Sequence, residues 1–244
     1  MITGITIESN NKIGKIKTKY KKALWLLNKM INASLYGGKN IYMMDFIKNC
    51  DTNDVIKSLR GKGIKSQKKV IEVGKPHNPL VFYKELFEIL NIKENINYVN
   101  ITYNNKEDYY YFMPKYRKKN KFKQDENKIK EIINSDFVII QRTDKFGDWL
   151  LSNEFPPEKE VIYHGNKFIL DSAVLRNNKK YHFTSYITLN GKEYAFEGAS
   201  HKRLREFNWK SKLVSGKNIS WNFDYLKEIF NFKVGYQILF YYKV

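Results

Sequence analysis

The sequence predicts an α+β fold, with helices in the first part of the chain and antiparallel strands in the rest. Apolar residues recur with helical spacing at residues 20–33 and again from Pro79 to residue 90. From residue 97 onward, short runs rich in aromatic and β-branched residues alternate with polar turns. We therefore expect one domain over residues 1–244, mainly helical at 1–96 and mainly β at 97–244.

The helices of the first part are defined by their apolar faces. The first is followed by Gly37-Gly38, a pair that ends helices. Two shorter helical segments are expected at residues 42–47 and 52–60. Pro79 suits the first turn of the next helix. The apolar stripe of that helix predicts packing against a core by Leu80, Tyr83, Leu86, Phe87 and Leu90.

The second part is predicted to be mainly strands. The FVIIQ run at residues 137–141 is typical of a buried strand. Further strands are expected at 98–103, at 109–113, at Val161 and at 235–243. Two segments are expected to be helical instead, at 125–133 and at 221–230.

Three strand-like runs close together dominate the second part, at residues 168–175, 181–189 and 194–197. Asn190-Gly191 joins the last two and is the strongest short hairpin signal, because both residue types tolerate positive φ. His182 begins the central run and Glu197 ends its partner. A hairpin of this length could bring the two ends together, so that a carboxylate could orient an imidazole.

The composition of the chain limits the cell compartment and the kinds of metal, disulfide and cofactor chemistry that can be expected. Hydrophobic residues make up 42% of the chain and aromatic residues 16%, which is typical of a folded domain. No apolar run is long enough to span a bilayer and the first residues do not form a signal peptide, so we expect a protein that is neither secreted nor inserted in a membrane. The single cysteine, Cys50, excludes an internal disulfide and a cysteine-based zinc site, and it favours an intracellular, reducing compartment. No cofactor motif or acidic cluster with metal-ligand spacing is present, so we expect neither cofactor nor metal.

The charge is strongly basic. The 44 Lys and Arg residues outnumber the 25 Asp and Glu residues, for a formal net charge of +19. Such a balance favours polyanionic partners such as nucleic acid. The densest basic cluster, at 115–123, interleaves lysines with Tyr116 and Phe122 and could hold a phosphate backbone, although a solvated charged loop is the preferred interpretation of it. The even spread of Lys, Asn, Ile and Tyr also fits an AT-rich coding bias, as in many large DNA viruses.

One family resemblance rests on the hairpin. YHFTSYI at residues 181–187 is followed, after a short turn, by YAFE at 194–197. This pattern resembles the histidine box of the ubiquitin-specific proteases, cysteine peptidases of papain-like fold, in which the usual wording is G-H-Y-T-S-Y and then W-Y-x-F-D or F-N. The resemblance implies that His182 is the general base and that Glu197 stands where the family has Asp or Asn.

Two further segments extend the resemblance along the chain. HNPLVFYKELFEIL at residues 77–90 resembles the family's second box, Q-H-D-A-x-E-F-L-x-x-L. GYQILFYYK at 235–243 resembles the family's last strand, A-Y-x-L-F-Y-x-R. The resemblance implies a papain-like fold with a thumb-like part at 1–96 and a palm-like part at 97–244. The zinc fingers of many family members need four cysteines and are excluded.

The nucleophile of the family has no clear counterpart. GITIESNNKI at residues 4–13 fits the frame of the family's first box, G-[LI]-x-N-x-G-N-x-C-Y. In this frame Asn10 takes the place of the asparagine that stabilises the oxyanion, and Lys12 takes the place of the cysteine. An ammonium with a pKa of about 10.4 is protonated at neutral pH and cannot attack. Acyl transfer to lysine would also form an amide as stable as the bond just cut.

Cys50 is the rival nucleophile. CDTNDVIKSL at residues 50–59 also echoes the family's C-Y-x-N-S-x-L-x-x-L and precedes a predicted helix, whose N-terminus would lower a thiol pKa. Cys50 lies only 27 residues before His77, however, and lacks a Gly-Asn pair ahead of it. An inert buried thiol is the more common state of such a residue.

Three hypotheses follow for function. The leading one is a ubiquitin-specific-protease-like domain without its nucleophile, which binds ubiquitin or a ubiquitin-like protein or serves as a structural or assembly component. The second is an active deubiquitinase or modifier peptidase that uses Cys50, His182 and Glu197. The third is a basic structural protein associated with nucleic acid, for instance in a virion. For a viral protein, the expected location is the host cytoplasm, the viral factory or the virion.

Overall fold

The computed structural model describes residues 79–81, 83–84, 95–101, 112–113, 125–142, 157–176, 183–189, 191–197, 205–215, 219–223, 226–230 and 236–244. The chain divides into two compact units, one formed by Ile5–Lys93 and the other by Met1–Gly4 with Glu94–Val244. In the first unit, residues 79–81 and 83–84 are helical. Leu80 and Tyr83 are buried there while Val81 is exposed, which confirms this part of the predicted stripe. The helices predicted at 20–33, 42–47 and 52–60 lie outside the described residues.

The described part of the second unit is mainly sheet. Its strands are β1 (Ile96–Ile101), β2 (Phe137–Arg142), β3 (Glu160–Tyr163), β4 (Asn166–Arg176), β5 (Phe183–Leu189), β6 (Lys192–Glu197), β7 (Arg205–Glu206), β8 (Ile219–Phe223), β9 (Leu226–Phe230) and β10 (Gln237–Lys243). Its helices are α1 (Glu126–Ile133) and α2 (Lys212–Ser215). None of the helices in the described part of the chain has the length and apolar character that crossing a bilayer requires.

The main sheet has the strand order β1-β2-β10-β4-β5-β6-β7, with β3 paired to β4 beside this path. β1 and β2 are parallel, and the other pairs are antiparallel. The C-terminal strand β10 therefore lies between β2 and β4. Because β10 occupies one edge of β4, β3 and β5 share the other edge, β3 along residues 166–169 and β5 along 172–176.

The central strands are buried on both faces. β10 is buried over its first five residues without alternation, a pattern typical of a strand covered on both sides. One face carries a hydrophobic core that includes α1 and the loop before α2. Its members on the sheet include Val99, Val138, Ile140, Leu170, Ala173, Leu175, Tyr186, Ala195, Leu239 and Tyr241. Ile139, Val174 and Ile238 are buried on the opposite face.

The short helix α1 confirms the prediction at 125–133. Asp125 is its N-cap, and the carboxylate accepts hydrogen bonds from the backbone N–H groups of Asn127, at 3.0 Å, and Lys128, at 3.4 Å. These bonds satisfy two of the donors that a helix start leaves unpaired. Ile129 and Ile132 then face the core.

Two tight hairpins organise the middle of the sheet. In the β5–β6 hairpin, Leu189 pairs with Lys192 and Gly191 has a φ of 74°, which confirms the predicted Asn190-Gly191 turn. In the β3–β4 hairpin, the two-residue loop His164-Gly165 has φ values of 46° and 80°. Two consecutive positive φ values are the signature of a type I′ turn, whose twist matches that of the strands.

Two predictions in the second unit are wrong. Residues 221–230 are not a helix, because β8 and β9 form a separate two-stranded antiparallel sheet. Apolar residues alternate along β8, and this period of two outweighs helix propensity once a partner strand is present. Phe112 is helical, so the strand predicted at 109–113 does not extend through it. The strands predicted at 98–103, 137–141, 161, 168–175, 194–197 and 235–243 correspond to β1, β2, β3, β4, β6 and β10.

Candidate functional site

The predicted site residues lie mostly outside the described part of the chain. Asn10, Lys12, Cys50 and His182 are all outside it. Glu197 is the last residue of β6, and its backbone is described. It pairs with Thr184 of β5, which follows His182 by two positions in the chain. The structure thus gives the backbone position of Glu197 in the hairpin.

Glu197 is the last residue of a row of paired residues that crosses the sheet. Cross-strand partners lie on the same face of a sheet, so the register aligns residues from five adjacent strands. The row runs through Arg142 of β2, Gln237 of β10, Leu175 of β4, Thr184 of β5 and Glu197 of β6. We call its polar members Arg142, Gln237, Thr184 and Glu197 the polar row.

The polar row begins with a buried guanidinium. Arg142 and Gln237 are both fully buried, and Arg142 Nη1 donates to Gln237 Oε1 at 2.9 Å. Arginine keeps its charge at any physiological pH, so burial of this group has a desolvation cost that its hydrogen bonds must offset. Arg142 follows the predicted FVIIQ strand and shares the inward alternation of Val138 and Ile140. That alternation was the available signal for its burial.

β5 carries two buried hydroxyl groups, that of Thr184 in the polar row and that of Tyr186 two residues further along. Thr184 Oγ1 donates to the Tyr186 hydroxyl at 3.2 Å, and both residues are buried. Burial raises the pKa of the Tyr186 phenol well above its ordinary value, so the group stays a neutral O–H donor. The Tyr186 ring packs beside Trp209 and Phe207, with centroid distances of 6.1 and 6.2 Å.

A second group of polar residues lies where β4 changes neighbours. Phe240 of β10 pairs with Ser172 and Tyr241 pairs with Leu170, so Asp171 is the extra residue of a β-bulge. On the other edge of β4, the pairing with β3 has ended before Asp171 and the pairing with β5 has not begun. Burial raises the pKa of the Asp171 carboxyl above its usual range.

Lys210 belongs to the same group of polar residues, because the charge of Asp171 acts on its ammonium. Burial lowers the pKa of the Lys210 ammonium, while the carboxylates of Glu193 and Asp171 favour its charged form. The Glu193 carboxylate also accepts a hydrogen bond from the Lys210 backbone N–H at 2.8 Å. The ammonium lies 5.4 Å from the ring centre of Trp209, within cation–π range. We call Asp171, Glu193 and Lys210 the bulge cluster.

The sequence interpretation missed the bulge cluster. Asp171 interrupts the apolar run FILDSAV, and a carboxylate inside such a run was the available signal. Lys210 is one of many lysines, and nothing in its sequence context separates it from the others. Within the described ranges, His, Cys, Asp and Glu residues form no group of three or more that could hold a metal ion.

The site can therefore be stated in chemical terms. The hairpin pairs the backbone of Glu197 with that of Thr184, β5 carries the buried hydroxyls of Thr184 and Tyr186, and the neighbouring strands provide a buried guanidinium and amide. Comparison with known proteins adds no family assignment: no protein-family model matches the sequence, and no curated protein matches it.

Proposed function

We propose that the chain is a ubiquitin-specific-protease-like domain without a catalytic cysteine. It binds a ubiquitin-fold protein or is a structural component of a larger assembly. In this proposal His182 and Glu197 are the surviving base and orienting acid, Asn10 occupies the oxyanion position and Lys12 the nucleophile position. The fold proposed with it is papain-like. The observation that carries the proposal is the register of the β5–β6 hairpin.

That register supports a His–carboxylate pair. Glu197 lies opposite Thr184, and His182 precedes Thr184 by two residues. Residues two apart in an extended strand share a face, and a residue and the diagonal neighbour on the next strand are about 7–8 Å apart at Cα. A glutamate side chain is long enough to reach an imidazole over that separation.

The strand order gives a second, weaker support. The segments that carry the C-terminal resemblance are the hairpin β5–β6, the strand β4 before it and the last strand β10. All of them belong to one sheet, with β10 directly beside β4. A palm-like β part requires these segments to lie in one sheet.

Covalent labelling tests the proposal. The full chain is incubated with ubiquitin that carries an electrophilic C-terminus, and adducts are measured by intact mass. We expect no adduct with the wild-type chain, because Lys12 offers a protonated amine in place of a thiolate. The Lys12→Cys variant should gain an adduct in the Cys50→Ser background and lose it again when His182→Ala is added. Lys15→Cys in the same background is the matched control and should remain unlabelled.

The outcomes separate the hypotheses. An adduct on the wild-type chain that disappears in Cys50→Ser would show an active peptidase that uses Cys50. Failure of Lys12→Cys to react would contradict the frame that places Lys12 at the nucleophile position. Titration calorimetry with unmodified ubiquitin should give saturable binding. Its absence would remove the ubiquitin-fold partner and leave the assembly role.

The net charge of +19 favours a second candidate, a structural protein that binds nucleic acid. This candidate predicts binding to unrelated DNA or RNA sequences with an affinity that falls steeply as salt rises. A fluorescence-anisotropy titration at several salt concentrations checks it. Absent or salt-insensitive binding would exclude it.

A further inference from the structure

We propose that Lys210 is a site of covalent acylation, at which the side-chain amine takes an acyl group from a small acyl thioester more readily than the exposed Lys192 does. In this reaction the Nζ lone pair attacks the thioester carbonyl carbon, and an N–C bond forms. The C–S bond breaks, the thiolate leaves, and the proton lost from the nitrogen goes to water. The inference is independent of the proposed function, because it involves none of the residues of that proposal.

The loop that carries Lys210 is fixed against the sheet. Trp209 is fully buried, and its indole N–H donates to the backbone carbonyl of Ile187 at 3.2 Å. The backbone N–H of Lys210 donates to the Glu193 carboxylate at 2.8 Å. The backbone N–H of Phe207 donates to the Glu193 carbonyl at 2.9 Å. These bonds to β5 and β6 give the Lys210 side chain one defined starting position.

Burial and neighbouring charges act on the Lys210 amine in opposite directions. The residue is half-buried, and its Nζ lies 5.4 Å from the ring centre of Trp209. Four charged side chains act on it, namely those of Glu193, Asp171, Lys159 and Glu160. The three carboxylates favour the ammonium, but burial is the larger influence, so the pKa of Lys210 lies below the ordinary value of a lysine. Because the neutral amine is the nucleophile, desolvation of this kind activates a lysine.

Lys192 provides the reference within the same chain. Its side chain is largely exposed, and its Nζ lies 3.2 Å from Glu206 Oε1. The hydrogen bond and the charge of Glu206 raise the pKa of Lys192 above its ordinary value. The two lysines therefore differ from an ordinary lysine in opposite directions, although Lys192 is the more accessible to a reagent.

The test compares these two lysines in the native full chain. The chain is treated at neutral pH with S-acetyl-N-acetylcysteamine, a small acetyl thioester, until a small fraction of its lysines has reacted. It is then denatured, and the remaining amines are labelled with deuterated acetic anhydride, so that mass spectrometry of peptides gives the extent of reaction at each lysine. Each unit by which the pKa of an amine falls gives about tenfold more neutral amine at neutral pH. We expect Lys210 to react at least about threefold faster than Lys192.

The pH profile separates nucleophilicity from exposure. The ratio of the Lys210 rate to the Lys192 rate should fall as pH rises toward about 10.4, the ordinary pKa of lysine, because both amines become neutral there. A ratio that does not change with pH would show that access alone controls the reaction and would overturn the inference. Reaction at Lys210 that is no faster than at Lys192 at neutral pH would overturn it as well.

Two matched variants assign the effect to the neighbouring charges. Asp171→Asn removes a carboxylate that favours the Lys210 ammonium, so it should accelerate Lys210 and leave Lys192 unchanged. Glu206→Gln removes the carboxylate beside Lys192 and should accelerate Lys192 alone. If each variant changes both rates equally, the difference between the lysines does not come from their surroundings, and the inference fails.

Acylation of Lys210 should also stabilise the fold. The product is a neutral amide, and it removes a charge that burial disfavours, whereas acylation of Lys192 removes only a screened surface pair. Lys210→Gln carries a neutral amide at the same position and should raise the urea midpoint, with Lys192→Gln as the control. A lower midpoint for Lys210→Gln would show that the charged amine is not disfavoured at this position and would contradict the inference.

Discussion

The polar row and the bulge cluster place polar groups on the same sheet in opposite ways. In the row, Arg142, Gln237 and Thr184 are almost completely buried and lie where neighbouring strands pair without interruption. In the cluster, Asp171 and Lys210 are only partly buried and lie where β4 exchanges β3 for β5. Continuous pairing excludes water and demands internal partners, whereas the bulge leaves room for charges that keep some contact with solvent.

The difference has an energetic meaning. A fully buried polar group stabilises the fold only while its partners are in place, and the loss of one partner exposes the full desolvation cost. A charged group at a partly solvated bulge lowers the free energy of unfolding, and replacing it with a neutral group can raise that free energy. Substitutions in the two regions should therefore have opposite signs.

The largest expected effect is in the polar row. Arg142→Ala removes the donor to Gln237 and leaves a cavity inside the sheet, so we expect a loss of about 3 kcal/mol in the free energy of unfolding. Urea denaturation followed by circular dichroism measures it. Arg205→Ala, at a partly exposed position of the short strand β7, is the control and should cost less than about 1 kcal/mol. Similar losses in the two variants would contradict the contrast.

A smaller effect of opposite sign is expected at the bulge. The folded-state pKa of Asp171 is raised by burial, so its stabilising contribution is present below the unfolded pKa and is lost as pH rises through the folded pKa. Asp171→Asn should therefore be more stable than the wild-type chain at neutral pH, by about 1 kcal/mol. The gain should shrink to nothing as pH falls below the ordinary pKa of an aspartate side chain, 3.8. Denaturation at several pH values checks this, and a pH-independent difference would refute the assignment to Asp171.

The smallest effect is expected at the exposed end of the β5–β6 hairpin. Lys192 Nζ lies 3.2 Å from Glu206 Oε1, and both side chains are largely exposed. Because water and salt screen such pairs, Lys192→Gln should leave the urea midpoint unchanged within error. A clear fall in the midpoint would mean that the surface pair, and not the buried face, holds β6 and β7 together.

Two of the antiparallel hairpins, β5–β6 and β8–β9, differ in how well their local sequence predicts them. Asn190-Gly191 predicts the first turn because few residue pairs accept its backbone conformation. Asp224-Tyr225 lies between β8 and β9, and neither glycine nor proline marks the link, so the local sequence favours a helix instead. The pairing of Ile219 with Phe230 is a property of two strands together, which a scan of single segments does not detect.

The candidate site likewise has some features that the sequence predicts and others that it does not. The hairpin and the position of Glu197 at its end were predicted, because a turn and two strands are specified by neighbouring residues. The burial of Arg142 and the role of Asp171 as a bulge residue were not. A bulge changes which face a side chain occupies, and its presence depends on the partner strand β10.

By itself, the sequence determined the local elements of this protein: the capped helix after Asp125, the apolar strand β2 and the turn at Gly191. Only the tertiary structure decided the order of the strands, with β10 inserted between β2 and β4, and with it the charges that become buried. Arg142 and Gln237 are 95 residues apart in the chain, and their contact exists because β2 and β10 pair in one register. Such pairing is the outcome of competition among all the strands, whereas caps and turns depend on a few consecutive residues.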